Sequence, residues 1–308
     1  MKYKTTIIGA GNVGASIAQL IAFHGMGDVI LLDIEGNMAK GKALDIAEAC
    51  PIWNSASQVS GTSDFSDIKN SNIVIITAGI ARKPGMSRDD LLNVNADIVR
   101  NAAVNIAKYC PDSIVIVVTN PMDVMTQLVF SVTGFTSNKV LGMGGILDSS
   151  RFKTFIAMEL KVSPSIVNTM VLGGHGDQML PLPRFTTVGG IPLTELMSAD
   201  KINELIKRTA SGGAEIVKLL EKGSAFYAPA ASVFQMIKAI IFDEKLLIPA
   251  ACYLNGEYGF KGVYSGVPVI IGASGAERII EIDLNENEKK DFANSVTSVR
   301  ESVSKLNL

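Results

Sequence analysis

The sequence predicts an α/β protein with two parts. Residues 1–143 form a doubly wound parallel sheet with helices on both faces, and residues 144–308 form an α+β unit. Three observations predict this. Apolar strand-like runs alternate with helical stretches through the first half. Several of those runs are nearly continuous in Val and Ile, as in strands covered on both faces. Beyond residue 143 the alternation stops, and long helices separate isolated apolar runs.

In order, strands are expected at 5–8, 29–32, 73–77, 114–119 and 139–143. Helices are expected over about 13–23, 38–49, 89–109 and 122–132. That order is the signature of a doubly wound sheet. In the second half, 166–172, 184–188, 250–254 and 267–271 read as antiparallel strands, with helices over 199–222 and 229–242. A final helix starts at Asn285, where Glu288 completes a capping-box pattern. Its Phe292, Val296, Val299, Val303 and Leu306 form one apolar stripe, most simply a core face. No repeat or low-complexity linker separates the halves, so they are expected to pack tightly.

Composition narrows the function. The chain has 47% hydrophobic and 19% charged residues, as in an ordinary globular protein. Its net charge of −2 gives no general pull toward nucleic acid or anionic membrane, so any basic site is local. No apolar run is long enough to span a bilayer. The chain enters an apolar strand by residue 5, which leaves no room for a targeting peptide. The three cysteines, Cys50, Cys110 and Cys252, are far apart and odd in number. They suit reduced thiols in the cytoplasm. No metal, nucleic-acid or membrane partner is expected.

Gly9-Ala10-Gly11-Asn12-Val13-Gly14 directly follows the first strand and opens a helix. This is the Rossmann dinucleotide fingerprint in its proper setting. The first glycine permits the tight turn, the second admits a pyrophosphate, and the third lets helix and strand pack closely. Asp33 ends the second strand, where a carboxylate accepts hydrogen bonds from ribose hydroxyls. It repels a 2′-phosphate, Glu35 adds to that, and no Arg follows closely. NAD is therefore expected over NADP.

His175 is one of only two histidines and lies in Gly173-Gly174-His175-Gly176-Asp177. Flanking glycines leave its imidazole uncrowded, and its ordinary pKa suits general acid/base work. Alone, it reads equally well as a structural His in a turn. Other segments fall beyond strand ends, where an open α/β sheet places ligands. The stretch from Ala78 to Arg88 is a Gly/Pro loop carrying Arg82, Lys83 and Arg88, either a closing loop or a solvated one. Thr119-Asn120-Pro121 precedes a helix, which Asn120 either caps or leaves to face a ligand. Asp148 and Arg151 share one helix face, as a surface ion pair or with the Arg fork ready for a carboxylate. The residues alone do not choose between Asp148 and Asp177 as the partner of His175.

Together these motifs resemble the lactate/malate dehydrogenase family, on the side of its lactate-dehydrogenase-like malate dehydrogenases. The resemblance spans nearly the whole chain. It rests on GAGNVG at Gly9–Gly14, ARKPGMSR at Ala81–Arg88, VTNP at Val118–Pro121, LDSSRF at Leu147–Phe152 and GGHGD at Gly173–Asp177. It implies that His175 takes a hydroxyl proton while a hydride passes to the nicotinamide, with Asp148 orienting the histidine. It implies that Arg88 polarises the reacting oxygen and Arg151 clamps a carboxylate. Asn120 then bonds both substrate and cofactor region. Val118 and Thr119 border the cofactor, and Asn95 lies on its nicotinamide side. Arg82 takes the lid position facing the substrate's variable end, where lactate dehydrogenases typically carry Gln. That implies a dicarboxylate, malate or oxaloacetate. Gly174 and the segment 223–229 (GSAFYAP) also fit the malate branch. A homo-oligomer, dimer or tetramer, is implied as well.

Overall fold

The structure is a computed structural model and describes residues 2–80 and 88–306, apart from the side chain of Arg88. The first half alternates β1 (Lys4–Ile8), α1 (Asn12–Phe23), β2 (Asp28–Leu32), α2 (Gly36–Ala49), β3 (Val59–Thr62), β4 (Ile73–Ile76), α3 (Arg88–Tyr109), β5 (Ile114–Val117), α4 (Met122–Thr133) and β6 (Val140–Gly142). The strands are parallel in the order β3-β2-β1-β4-β5-β6, the doubly wound arrangement. The Val and Ile runs have the expected cause, because both sheet faces are buried. Ile7, Leu31, Ile75 and Ile116 face α1 and a later helix over residues 227–241, while Ile8, Ile76, Val115 and Val117 face α3 and α4.

The second half begins with α5 (Gly145–Leu160), β7 (Val167–Asn168), β8 (Val171–Gly173) and β9 (Met179–Pro181). It continues through β10 (Thr187–Val188), β11 (Ile191–Pro192), α6 (Leu193–Leu196), α7 (Ala199–Leu220) and α8 (Tyr227–Ile241). The chain closes with β12 (Leu246–Asn255), β13 (Lys261–Gly272), β14 (Gly275–Ile279) and α9 (Glu286–Ser304). Tight packing of the halves takes the form of one shared sheet. β12 pairs antiparallel with β6 at Ala251 and Gly142, and β13, β8 and β9 extend the same 11-stranded sheet. The α9 start is a complete capping box: Asn285 Oδ1 accepts from Glu288 N, and Glu288 Oε2 accepts from Asn285 N. Its stripe is core, with Phe292, Val296 and Val299 buried in the main cluster. Among the described residues no helix is long and apolar enough to cross a membrane.

The structure departs from the sequence reading in a few places. The run 166–172 is not one strand. A 3₁₀ turn at Pro164–Ile166 leads into β7, which joins a small sheet with β10 and β11, and the chain turns again before β8 enters the main sheet. The 184–188 strand shrinks to Thr187–Val188, because Pro183–Phe185 is a 3₁₀ turn. The edge strand β3 went unread because Val-Ser-Gly-Thr has no apolar run. Its place comes from close contact with α2: a Cβ on Gly61 would overlap the Ala39 carbonyl.

That contact is testable. Gly61→Ala forces α2 off the sheet edge, and such overpacking costs about 1–3 kcal/mol. The urea unfolding midpoint should fall accordingly; an unchanged midpoint would mean that α2 does not bear on β3.

Candidate active site

The site lies at the carboxyl ends of β1, β2, β4, β5 and β6, where the Gly9–Gly14 turn, Asp33, residues 77–80, residues 118–121 and the start of α5 converge. Gly9 has a φ of +105°, and a Cβ there would lie 2.6 Å from Ala78 N. A Cβ on Gly14 would overlap the Gly9 carbonyl. Gly11 faces open space, with no atom within 4 Å of a Cβ built on it. The N-terminus of α1 has no side-chain cap and no acidic residue in its first turn, so its N–H groups suit an anion. Asp33 Oδ2 accepts from Ala10 N at 2.7 Å and Oδ1 from Glu35 N at 3.0 Å. A carboxylate has about four acceptor positions, so lone pairs remain for ribose hydroxyls. These residues fit a dinucleotide.

Asn95 is buried and holds two segments together. Its Oδ1 accepts from Ile80 N at 2.8 Å, and its Nδ2 donates to Asn120 O at 2.7 Å. Thr119 Oγ1 donates to Ala78 O at 2.7 Å, tying the ends of β4 and β5. Val118 N donates to Ile76 O. Asn120 is exposed and is not the helix cap, since Pro121 holds that position in α4.

His175 follows β8, and its Nδ1 donates to Asp148 Oδ2 at 2.8 Å. Asp148 sits in the first turn of α5 and is 1% exposed. Its other oxygen faces Arg151 Nη1 at 3.4 Å. The geometry thus pairs the histidine with Asp148, the point left open between two aspartates. The Nε of Arg151 is buried and finds no acceptor among the described residues. Gly212 and Gly213 of α7 lie against this side chain.

Two residues that hold His175 were not read from the sequence. Asp123 Oδ2 accepts from His175 N at 2.8 Å, and Ser295 Oγ accepts from Gly174 N at 2.7 Å. Both grip backbone from remote elements, so no local pattern announces them. Arg82, Lys83 and the side chain of Arg88 lie outside the described residues. In the segment 223–229, Phe226 caps α8 and Tyr227 opens it, 76% exposed.

Residues 3–142 match the NAD binding domain of lactate/malate dehydrogenase, and residues 146–307 match its alpha/beta C-terminal domain. The chain belongs to the lactate/malate dehydrogenase family. It is 52% identical to a malate dehydrogenase of Desulforudis audaxviator over 297 residues, 96% of each chain. It is 50% identical to that of Methanosarcina barkeri over 305 residues, 99% of each. Its fold is similar to a crystal structure of Cryptosporidium parvum malate dehydrogenase, with a TM-score of 0.97, 44% identity and 99% of both chains covered. It is also similar to the Cryptosporidium parvum lactate dehydrogenase complexed with lactic acid and NAD, with a TM-score of 0.95, 40% identity, and 99% and 98% coverage.

Within this family site the electrostatics favour a protonatable histidine. Burial alone pulls the His175 pKa down, but the charge and hydrogen bond of Asp148, with the charge of Asp123, outweigh it and raise the pKa. Burial pushes Asp123 up to about 6, against the hydrogen bond from His175. The imidazolium–Asp148 pair therefore stabilises the fold below the ordinary histidine pKa of about 6.5, and that stabilisation is lost as pH rises through the raised value.

With only two histidines, an NMR titration of labelled imidazoles reads each directly. Asp148→Asn keeps an acceptor for Nδ1 but removes the charge, so burial dominates and the His175 pKa should drop. If it holds its parental value, Asp148 is not what raises it.

Proposed function

We propose that the chain is an NAD-dependent malate dehydrogenase that interconverts (S)-malate and oxaloacetate. The observation that carries this is the buried Asp148–His175 pair with Arg151 on the same carboxylate. His175 then has Nδ1 engaged and Nε2 left to exchange a proton with the substrate. Bound NAD supplies the hydride acceptor. In malate oxidation the C2 hydroxyl proton goes to His175 as the C2 hydrogen leaves with its electron pair, giving the ketone of oxaloacetate. Asp148 holds the ring and offsets the charge it gains.

The remaining roles follow the same reading. Arg151 pairs with the C1 carboxylate through its planar fork. Arg88 polarises the C2 oxygen, and Arg82 meets the second carboxylate. Asn120 turns its amide to the substrate, while Asn95, Val118 and Thr119 shape the nicotinamide end. Gly9, Ala10, Gly11, Asn12, Val13 and Gly14 receive the pyrophosphate, and Asp33 receives the adenosine ribose. The cofactor unit is 1–143 and the substrate unit 144–308. The three buried, unpaired thiols support a cytoplasmic protein. Exposed Phe23, Leu44 and Ile52 on or beside α1 and α2 support a homo-oligomer, whose subunit number sedimentation velocity would give.

His175→Asn should keep NADH binding and lose about 10²–10⁴-fold in turnover, the usual contribution of a positioned acid/base. Near-parental turnover would remove the histidine from the mechanism.

The similarity to a lactate dehydrogenase makes substrate choice the deciding assay. With pyruvate, Arg82 would lack the second carboxylate it is proposed to pair with. A buried unpaired charge costs about 3–5 kcal/mol, or roughly 10²–10³-fold or more in specificity. The kcat/KM for oxaloacetate should exceed that for pyruvate by at least this factor. Arg82→Gln should narrow the gap by lowering oxaloacetate use and raising pyruvate use. A parent enzyme that reduces both alike, or a variant whose ratio stays put, would sink the malate assignment.

A further inference from the structure

The fingerprint turn contains two consecutive peptide planes, Gly9–Ala10 and Ala10–Gly11. A trans peptide is rigid and points its C=O and N–H in opposite directions, so fixing one group aims the other. In the first plane, Ala10 N–H donates to Asp33 Oδ2 at 2.7 Å, and the Gly9 carbonyl accepts from Thr77 Oγ1 at 2.9 Å. In the second plane, the Ala10 carbonyl accepts from Lys42 Nζ at 2.7 Å. Lys42 lies on α2, distant in sequence, and is partly buried. Three of the four polar groups are therefore held by side chains. The fourth, Gly11 N–H, has no partner among the described residues and lies where the backbone is open.

We propose that Lys42 is a positioning residue of the dinucleotide site: by holding the Ala10 carbonyl from α2, it aims the Gly11 N–H at the cofactor's pyrophosphate. The proposal rests on the dinucleotide site described above. Lys42 does two things there. It locks the second plane, so the N–H is presented without reorganisation when the anion arrives. It also keeps a carbonyl dipole turned away from the phosphates, where that oxygen would repel them. Asp33 locks the neighbouring plane and serves the ribose, so the two side chains divide the nucleotide between them. No glycine pattern reveals this, because the turn is held from a helix that follows the next strand.

The test separates phosphate-bearing from phosphate-free ligands. NADH and ADP-ribose carry the pyrophosphate, and adenosine does not. Lys42→Met removes the donor, and Lys42→Arg keeps both donor and charge. A charge-assisted hydrogen bond lost from a binding turn corresponds to about tenfold in affinity. Lys42→Met should raise the Kd for NADH and ADP-ribose by about that factor, by fluorescence titration. Its inhibition constant for adenosine, from competition with NADH, should stay within about twofold of the parent. Lys42→Arg should restore most of the NADH affinity. A Lys42→Met protein that binds NADH like the parent would overturn the proposal. So would equal weakening of adenosine and NADH, which marks general loosening of the fold. Should Lys42→Met fail to fold, Lys42→Leu, which also lacks a donor, takes its place under the same criteria. A parent that binds no NADH would instead overturn the dinucleotide site, and this proposal with it.

Discussion

The buried carboxylate of Asp148 is the group around which the site is assembled. Removing a carboxylate from water costs several kcal/mol unless charge and hydrogen bonds replace the solvent. Here the replacement comes from His175 in the loop after β8 and Arg151 one turn along α5. Each partner constrains an element. Arg151 binds α5 to its own first turn, and His175 ties α5 to β8, which enters the shared sheet through β13 at Gly173 and Gly266. The antiparallel extension of the sheet therefore carries His175 to the helix that begins just after β6. Without β6 meeting β12, the two halves of the charge cluster would have no common frame.

How much of this was legible depended on whether the cause was local. The parallel strands declared themselves because burial on two faces demands continuous Val and Ile. The fingerprint declared itself because its glycines fall at fixed spacing within six residues, although the atom that Gly9 must clear belongs to Ala78. The edge strand β3 stayed hidden, since a strand covered by one close helix needs smallness at Gly61 more than hydrophobicity. The run from Ile166 to Leu172 misled because it is apolar throughout, while the chain there divides between two sheets. In the site, His175, Asp148 and Arg151 could be named in advance, but the pairing of His175 with Asp148 over Asp177 required the fold or a family resemblance. Asn95 was placed near the nicotinamide, and its side chain proves to be a brace between Ile80 and Asn120. Asp123 and Ser295 act on backbone N–H groups from 52 and 121 residues away, a distance over which no spacing rule operates.

Asp123 also changes how the histidine should be understood. One oxygen holds the His175 amide, and the other is buried without a partner among the described residues. Among the described residues the charged groups facing His175 are Asp148, Asp123 and Arg151. Burial pushes Asp123 up to about 6, and, against burial, the charges of Asp148 and Asp123 hold His175 above its ordinary value. Each ion favours the charged form of the other. The charge state of His175 is therefore set by a small buried network. Asp148 fixes the ring and its charge, Asp123 fixes the backbone beneath it and adds a second negative charge, and Arg151 opposes both while remaining available to an anion. In the proposed function, a substrate carboxylate at Arg151 would add negative charge beside the imidazolium and favour it further. On that reading, substrate binding and proton exchange would be coupled through the same few atoms.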